Sequence, residues 1–209
     1  MPRQKAFDRE AALDGAMAAF WTKGYTATSI ADLVSRMGIQ RGSLYATFGD
    51  KRSLFFSALT RYERVVTREL LAVLETPGSG LAAIRRFFRL RVEGSLDRRR
   101  PPGCLVTNSA VELSPRDRGA AAWVGGSLAT LEATFLRALE RARAQGELAA
   151  TRDLQALARF LTSSAQGLSV MAKARPERAV LEDVVEGVLA ALAAGPPGPA
   201  DAVRDARAT

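Results

Sequence analysis

The 209-residue chain predicts an all-α protein. Apolar residues recur at three- and four-residue spacing along most of its length, the period of a helix face. No stretch alternates apolar and polar residues with the β-branched enrichment of a strand. Glycines and Pro/Gly clusters interrupt the pattern where helices should end.

The elements follow in order. Residues 8–23 form a first helix, with Ala12, Leu13, Ala16, Met17 and Phe20 on its apolar side, Asp8 as N-cap and Gly24 as stop. A second helix opens after Thr28, packs through Ile30, Leu33, Val34 and Met37, and ends at Gly38. A short third helix covers residues 40–46, and Gly49-Asp50 turns into a long helix over 51–74. Thr76-Pro-Gly-Ser-Gly80 breaks the chain before a helix over 81–96. A loop with three arginines and two prolines then leads into a helix over 104–113. Ser114-Pro115 reads as an N-cap with proline at the first helical position, starting a long helix that ends near Gly146. Helices over 153–173 and 177–194 complete a set of about nine, and the Pro/Gly/Ala-rich tail from 195 is expected to be disordered.

Composition narrows the function. Hydrophobic residues make up 47 %, enough for a core, although much of that is alanine. The formal charge of +8 suits a nucleic-acid partner, but an Arg- and Ala-rich base bias gives the same number. The chain has no histidine, which removes the usual general base near neutrality, the Ser-His-Asp triad and the commonest zinc ligand. No enzyme activity, cofactor or metal is expected. The one cysteine, Cys104, allows no intramolecular disulfide. No run approaches the ~18 apolar residues of a membrane span, and the N-terminus lacks a signal-peptide core, so the expected location is the cytoplasm.

The pattern that decides is in the first ~50 residues: three short helices with a tight turn, Arg36-Met-Gly-Ile39, between the second and third. Gly38 permits a left-handed backbone there, and Ile39 can plug the space between the helices. On the third helix Leu44 and Phe48 face inward with Phe20 and Leu33. Gln40, Arg41, Ser43, Tyr45 and Thr47 point out, with base edges and phosphates as natural partners, and Gly42 permits close approach to DNA. Thr28, Ser29 and Lys51 mark two further helix N-termini able to offer N–H groups to phosphate. Arg3 and Lys5 suit a basic arm.

Residues 20–33 (Phe-Trp-Thr-Lys-Gly-Tyr-Thr-Ala-Thr-Ser-Ile-Ala-Asp-Leu) and 38–54 (Gly-Ile-Gln-Arg-Gly-Ser-Leu-Tyr-Ala-Thr-Phe-Gly-Asp-Lys-Arg-Ser-Leu) resemble the N-terminal domain of the TetR/AcrR family of regulators. The likeness covers about 11–55, and spacing, glycines, aromatics and the lysine coincide at once. Thr47 departs from the pattern, since family members often carry histidine there. Residues 103–113 resemble a segment of one AcrR-like branch. The resemblance implies a ligand-responsive transcriptional regulator, most often a repressor. It would bind a near-palindromic operator as a homodimer and be released by a small-molecule effector.

It also implies a helical body with a ligand pocket. Phe87, Phe88, Arg91, Cys104, Asn108, Glu112, Trp123, Phe135, Gln166 and Met171 are the candidates, with ordinary packing as the competing reading for each. Cys104 at a helix start after three arginines suits either an electrophile-sensing thiolate or a small packed residue. On the last two helices Leu154, Leu157, Ala158, Leu161, Ala165 and Leu168, and Val180, Val184, Val185, Val188, Leu189 and Leu192, are apolar over more than one face. Such helices complete the monomer core or, as expected here, also pair across a dimer through Leu157, Leu161, Leu168, Val184, Val188 and Leu192. The expected organisation is a three-helix helix-turn-helix DNA-binding domain over 1–50, a larger helical ligand-binding and dimerisation domain over 51–194, and a tail over 195–209. A helical metabolite carrier or enzyme, and an architectural nucleic-acid binder, are the competing classes.

Overall fold

The computed structural model describes residues 7–193. The basic arm and the tail from 195 lie outside them. The described residues contain α1 (Arg9–Lys23), α2 (Ile30–Met37), α3 (Arg41–Phe48), α4 (Lys51–Tyr62), a π-helical segment (Glu63–Thr67), α5 (Arg68–Leu74), α6 (Gly80–Leu96), α7 (Leu105–Leu113), α8 (Arg118–Ala144), α9 (Leu154–Ala174) and α10 (Arg178–Ala193). Because α4, the π segment and α5 run on without interruption, these make nine continuous helices, as expected. The expected cap holds at Asp8, which accepts from the Glu10 and Ala11 amides; Asp153, where a helix was expected to begin, caps α9 by accepting from Gln155 and Ala156.

One expected start is wrong. Ser114 and Pro115 do not open α8. They lie in the turn that closes α7, where the Arg116 and Asp117 amides both donate to the Leu113 carbonyl at 2.8 Å. Asp117 caps α8 instead, accepting from Gly119 (2.8 Å) and Ala120 (3.0 Å). A carboxylate is the stronger acceptor and interacts favourably with the positive end of the helix.

The helices form two compact units. Among the described residues, the first comprises those up to Leu70 and Asp97–Ser127, the second Leu71–Leu96 and those from Leu128 onward. This division does not follow the expected break after residue 50, because α4 packs along α1, and α7 packs on both. In the first unit Phe20, Leu33, Leu44, Leu54, Phe55 and Leu59 are buried. The Phe20 and Phe55 rings meet edge to face at 5.1 Å. Gly15 lets α1 and α2 touch, since a Cβ there would stand 2.4 Å from the Arg36 carbonyl oxygen. Arg61 of α4 grips Asp14 through two bonds (2.7 and 2.9 Å) and also reaches Glu10.

In the second unit α6, α9 and α10 pack mutually. Their core includes Phe87, Phe88, Phe135, Leu161, Leu168, Leu181 and Val185. No described helix is long and apolar enough to cross a membrane.

Candidate nucleic-acid interface

The turn between α2 and α3 has the expected geometry. Gly38 sits in the left-handed region (φ 65°, ψ 28°) and its amide donates to Val34. Ile39 is buried beneath the turn. Leu44 and Phe48 bury the inner side of α3, which leaves Arg41, Gly42, Tyr45, Ala46 and Thr47 exposed and Ser43 half-buried. Gln40 is the N-cap residue of α3 but makes no side-chain cap, and a Cβ on Gly42 would meet nothing within 4 Å. Arg41 stacks over Tyr45 one turn on, its guanidinium carbon 5.8 Å from the ring centre. Arg41 forms no ion pair among the described residues, and neither does the exposed Arg36 at the end of α2, a charge that the turn pattern alone does not single out.

Two flanking sites differ from expectation. Thr28 is fully buried, and its hydroxyl donates to the Gly24 carbonyl at 2.5 Å, so its side chain cannot reach a phosphate. Ser29 is exposed but forms a capping box with Asp32. The Asp32 carboxyl also receives the Lys23 ammonium at 2.5 Å, and these bonds hold it well below the usual carboxylate range. Asp50 likewise caps α4 and is lowered by the Ser53 amide. Thus one first-turn amide of α2 is capped by the Ser29 hydroxyl and one of α4 by the Asp50 carboxylate, whereas no side chain caps α3. Lys51 lies with its ammonium 4.5 Å from the Tyr25 ring centre and 3.5 Å from the Thr26 carbonyl oxygen.

The residues expected to line a ligand pocket fall in both units. Cys104, Asn108, Glu112 and Trp123 belong to the first, and Phe88, Arg91, Phe135, Gln166 and Met171 to the second. Several are committed to holding the fold. Glu112 accepts from the Tyr25 (2.9 Å) and Thr26 (2.6 Å) amides, and the Asn108 amide donates to the Trp21 carbonyl (3.3 Å). Arg91 donates to the Ala165 carbonyl (2.9 Å) and the Ser169 hydroxyl. Phe88 and Phe135 stack at 6.0 Å as core rings. Cys104 is 4 % exposed and receives the Tyr62 hydroxyl at 3.4 Å, the packed arrangement rather than an open thiol.

The apolar face of α9 and α10 is also redistributed. Leu161 is fully buried, and Leu192 is 3 % exposed, so both complete the core of their own unit rather than a seam. Leu157 is half-buried. An open apolar groove instead runs along Phe160, Ser164, Gly167 and Met171 of α9 and Val184, Gly187 and Val188 of α10, with Leu168 at its floor. Phe160 and Val170, both in its lining, are 41 % and 53 % exposed. The residues missed, Phe160, Ser164 and Gly167, stand four and three apart and share one stripe; a search for leucine and valine alone skips them.

A buried-face helix pair joined at a left-handed glycine, with a second helix presenting Arg41, Tyr45 and hydroxyls outward, defines a helix-turn-helix DNA-binding regulator. Residues 12–58 match the family model of bacterial regulatory proteins, tetR family, and residues 80–188 match that of the tetracyclin repressor-like C-terminal domain. The HTH-type transcriptional regulator YezE of Bacillus subtilis (strain 168) is 39 % identical over 92 % of this chain and all of its own length. The HTH-type transcriptional repressor ComR of Escherichia coli (strain K12) is 35 % identical, over 88 % of this chain and 87 % of its own. A cysteine-substituted TetR family regulator, CifR, solved with 26-base-pair double-strand operator DNA, superposes with a TM-score of 0.84 at 35 % identity, covering 91 % of this chain and 100 % of that one. The chain belongs to the TetR family of DNA-binding transcriptional regulators, which are not enzymes.

Proposed function

We propose that this regulator is a repressor that binds a near-palindromic operator as a homodimer in the cytoplasm, placing α3 of each protomer in successive major grooves. The observation that carries the reading is the outer face of α3. Arg41 and Gln40 can address base edges, Tyr45, Ser43 and Thr47 phosphate oxygens, and Gly42 leaves room for the sugar–phosphate backbone. The missing side-chain cap leaves the first amides of α3 available to a phosphate, and Lys51 and Arg36 are further cations for the phosphate backbone. ComR, named a repressor, and CifR, solved on operator DNA, support the same role.

Dimerisation is supported by the groove between α9 and α10. Two copies laid against each other there would form a four-helix contact, with Phe160 and Met171 as knobs over Gly167 and Gly187. A small-molecule effector is assigned by family likeness. Of the expected contacts, the half-buried Gln166 of the second unit is retained, while Phe88 and Phe135 are core rings and Arg91, Asn108 and Glu112 hold the fold.

Selection of operator from random duplexes, followed by gel shift of the selected site, tests the proposal. The expected result is one symmetric sequence with half-sites about 10 base pairs apart, or a multiple of that, bound by a dimer. Binding of all duplexes alike would point to an architectural protein instead.

A further inference from the structure

The loop between α1 and α2 is held from a distant part of the chain. Glu112, on α7, is 87 residues from Tyr25, yet its carboxylate accepts the amides of both Tyr25 (2.9 Å) and Thr26 (2.6 Å). The loop is shaped around it: Gly24 has φ +83°, and a Cβ there would lie 2.6 Å from Glu112 Oε2. Burial of the Glu112 carboxyl opposes its ionisation, but bonds from the Thr26 hydroxyl and amide, the Tyr25 amide and the charge of Lys51 outweigh that and lower its pKa. α7 and the loop before it are also tied to the end of α1, where the Asn108 side-chain amide donates to the Trp21 carbonyl and the Trp21 indole donates to the Gly103 carbonyl, both at 3.3 Å.

These bonds are not needed to rescue buried amides. Thr26 is exposed and Tyr25 half-buried, so water can serve the loop. A carboxylate across two adjacent amides adds restriction: one loop conformation out of many. That conformation sets two groups facing the expected DNA. The Tyr25 ring, lodged 5.0 Å from Phe55, carries the Lys51 ammonium, and Thr28, bonded to the Gly24 carbonyl, delivers Ser29 to the start of α2.

We propose that Glu112 is a positioning residue for operator binding, which fixes the α1–α2 loop from α7 and so preorganises Lys51 and the start of α2. The proposal rests on the operator-binding reading above. The full-length wild type, Glu112→Ala and Glu112→Gln are compared by fluorescence anisotropy on the selected operator, by solution mass, by thermal melting and by amide hydrogen exchange. Loss of two charge-assisted bonds should weaken operator binding about ten-fold or more in Glu112→Ala. Exchange should quicken at Tyr25 and Thr26 while the amides of α9 and α10 stay as they were. Glu112→Gln, which keeps the shape and loses the charge, should fall between. Unchanged affinity overturns the proposal, as does unchanged exchange at those two amides. Weakened binding accompanied by faster exchange throughout the first unit also overturns it, since Glu112 would then be a stability residue only. If the wild type itself selects no operator, the operator-binding reading fails first and this proposal with it.

Discussion

At Tyr45 the sequence pattern and the structure converge on one side chain with two surfaces. Its ring carries the Arg41 guanidinium, and 41 % of the residue is exposed on the outer face of α3. Replacing Tyr45 by Phe removes one phosphate donor and leaves the stack. Operator affinity should fall by about 1 kcal/mol without change of sequence preference, as an anisotropy titration would show. Arg41→Ala should instead relax the preference at one base position and cost about 1–3 kcal/mol, read by selection against the single-base variants. Asp117 offers a test away from DNA. The hydrogen bond from Arg52 and the amides of α8 hold its carboxyl at about 2, below the ordinary 3.8. Because the folded value is the lower one, its contribution to stability is complete above about pH 4 and disappears as the pH falls through about 2. Asp117→Asn should therefore be less stable than wild type in urea at neutral pH, with the difference shrinking below about pH 4 and gone only below about pH 2. Nothing in the local sequence distinguished Asp117 from Ser114-Pro115 as the cap; Arg52, 65 residues away, helps decide it.

Among the elements, the turn between α2 and α3 and the crossing of α1 on α2 both depend on glycine, for different reasons. At Gly38 an added Cβ meets nothing within 4 Å, so Gly38→Ala should cost only the left-handed backbone, about 1 kcal/mol, and Gly38→Asn less. At Gly15 the Cβ would strike the Arg36 carbonyl, so Gly15→Ala should cost about 1–3 kcal/mol with no relief from asparagine. Urea unfolding of the four variants separates the two causes. Gly38 was legible as a turn residue from its place between two apolar runs. Gly15, mid-helix, was not, because what it accommodates is a neighbouring backbone that only the crossing of two helices brings near. The uncapped start of α3 belongs to this scale too: Asp8, Ser29 and Asp50 cap their helices, and Gln40 leaves open the one proposed to face DNA.

For the whole molecule, DNA binding and dimerisation should rise and fall together. Gly187 lies in the groove of α9 and α10, where an added Cβ would meet nothing within 4 Å, so Gly187→Arg should fold normally while blocking the partner. The expected result is a solution mass of one chain and loss of operator binding at concentrations where wild type is saturated. An unchanged mass would move the seam elsewhere. Wild-type affinity should fall steeply with salt, and Lys51→Ala should lower the slope of log K against log[salt] by about 1 if its ammonium neutralises one phosphate.

Residue order alone determined the all-α class, the helix ends at Asp8, Gly38 and Asp153, the inner and outer faces of α3, and the family. Each of these depends on neighbours within a turn or two, where helical period and backbone preference are written locally. Tertiary structure decided which apolar faces stay open and which polar groups are already engaged. Leu161 became core and Phe160 surface, and Glu112 and Asn108 turned from expected ligand contacts into ties to the α1–α2 loop and to the end of α1. Those outcomes depend on partners tens of residues away, and a side chain's role follows from what folding brings to it.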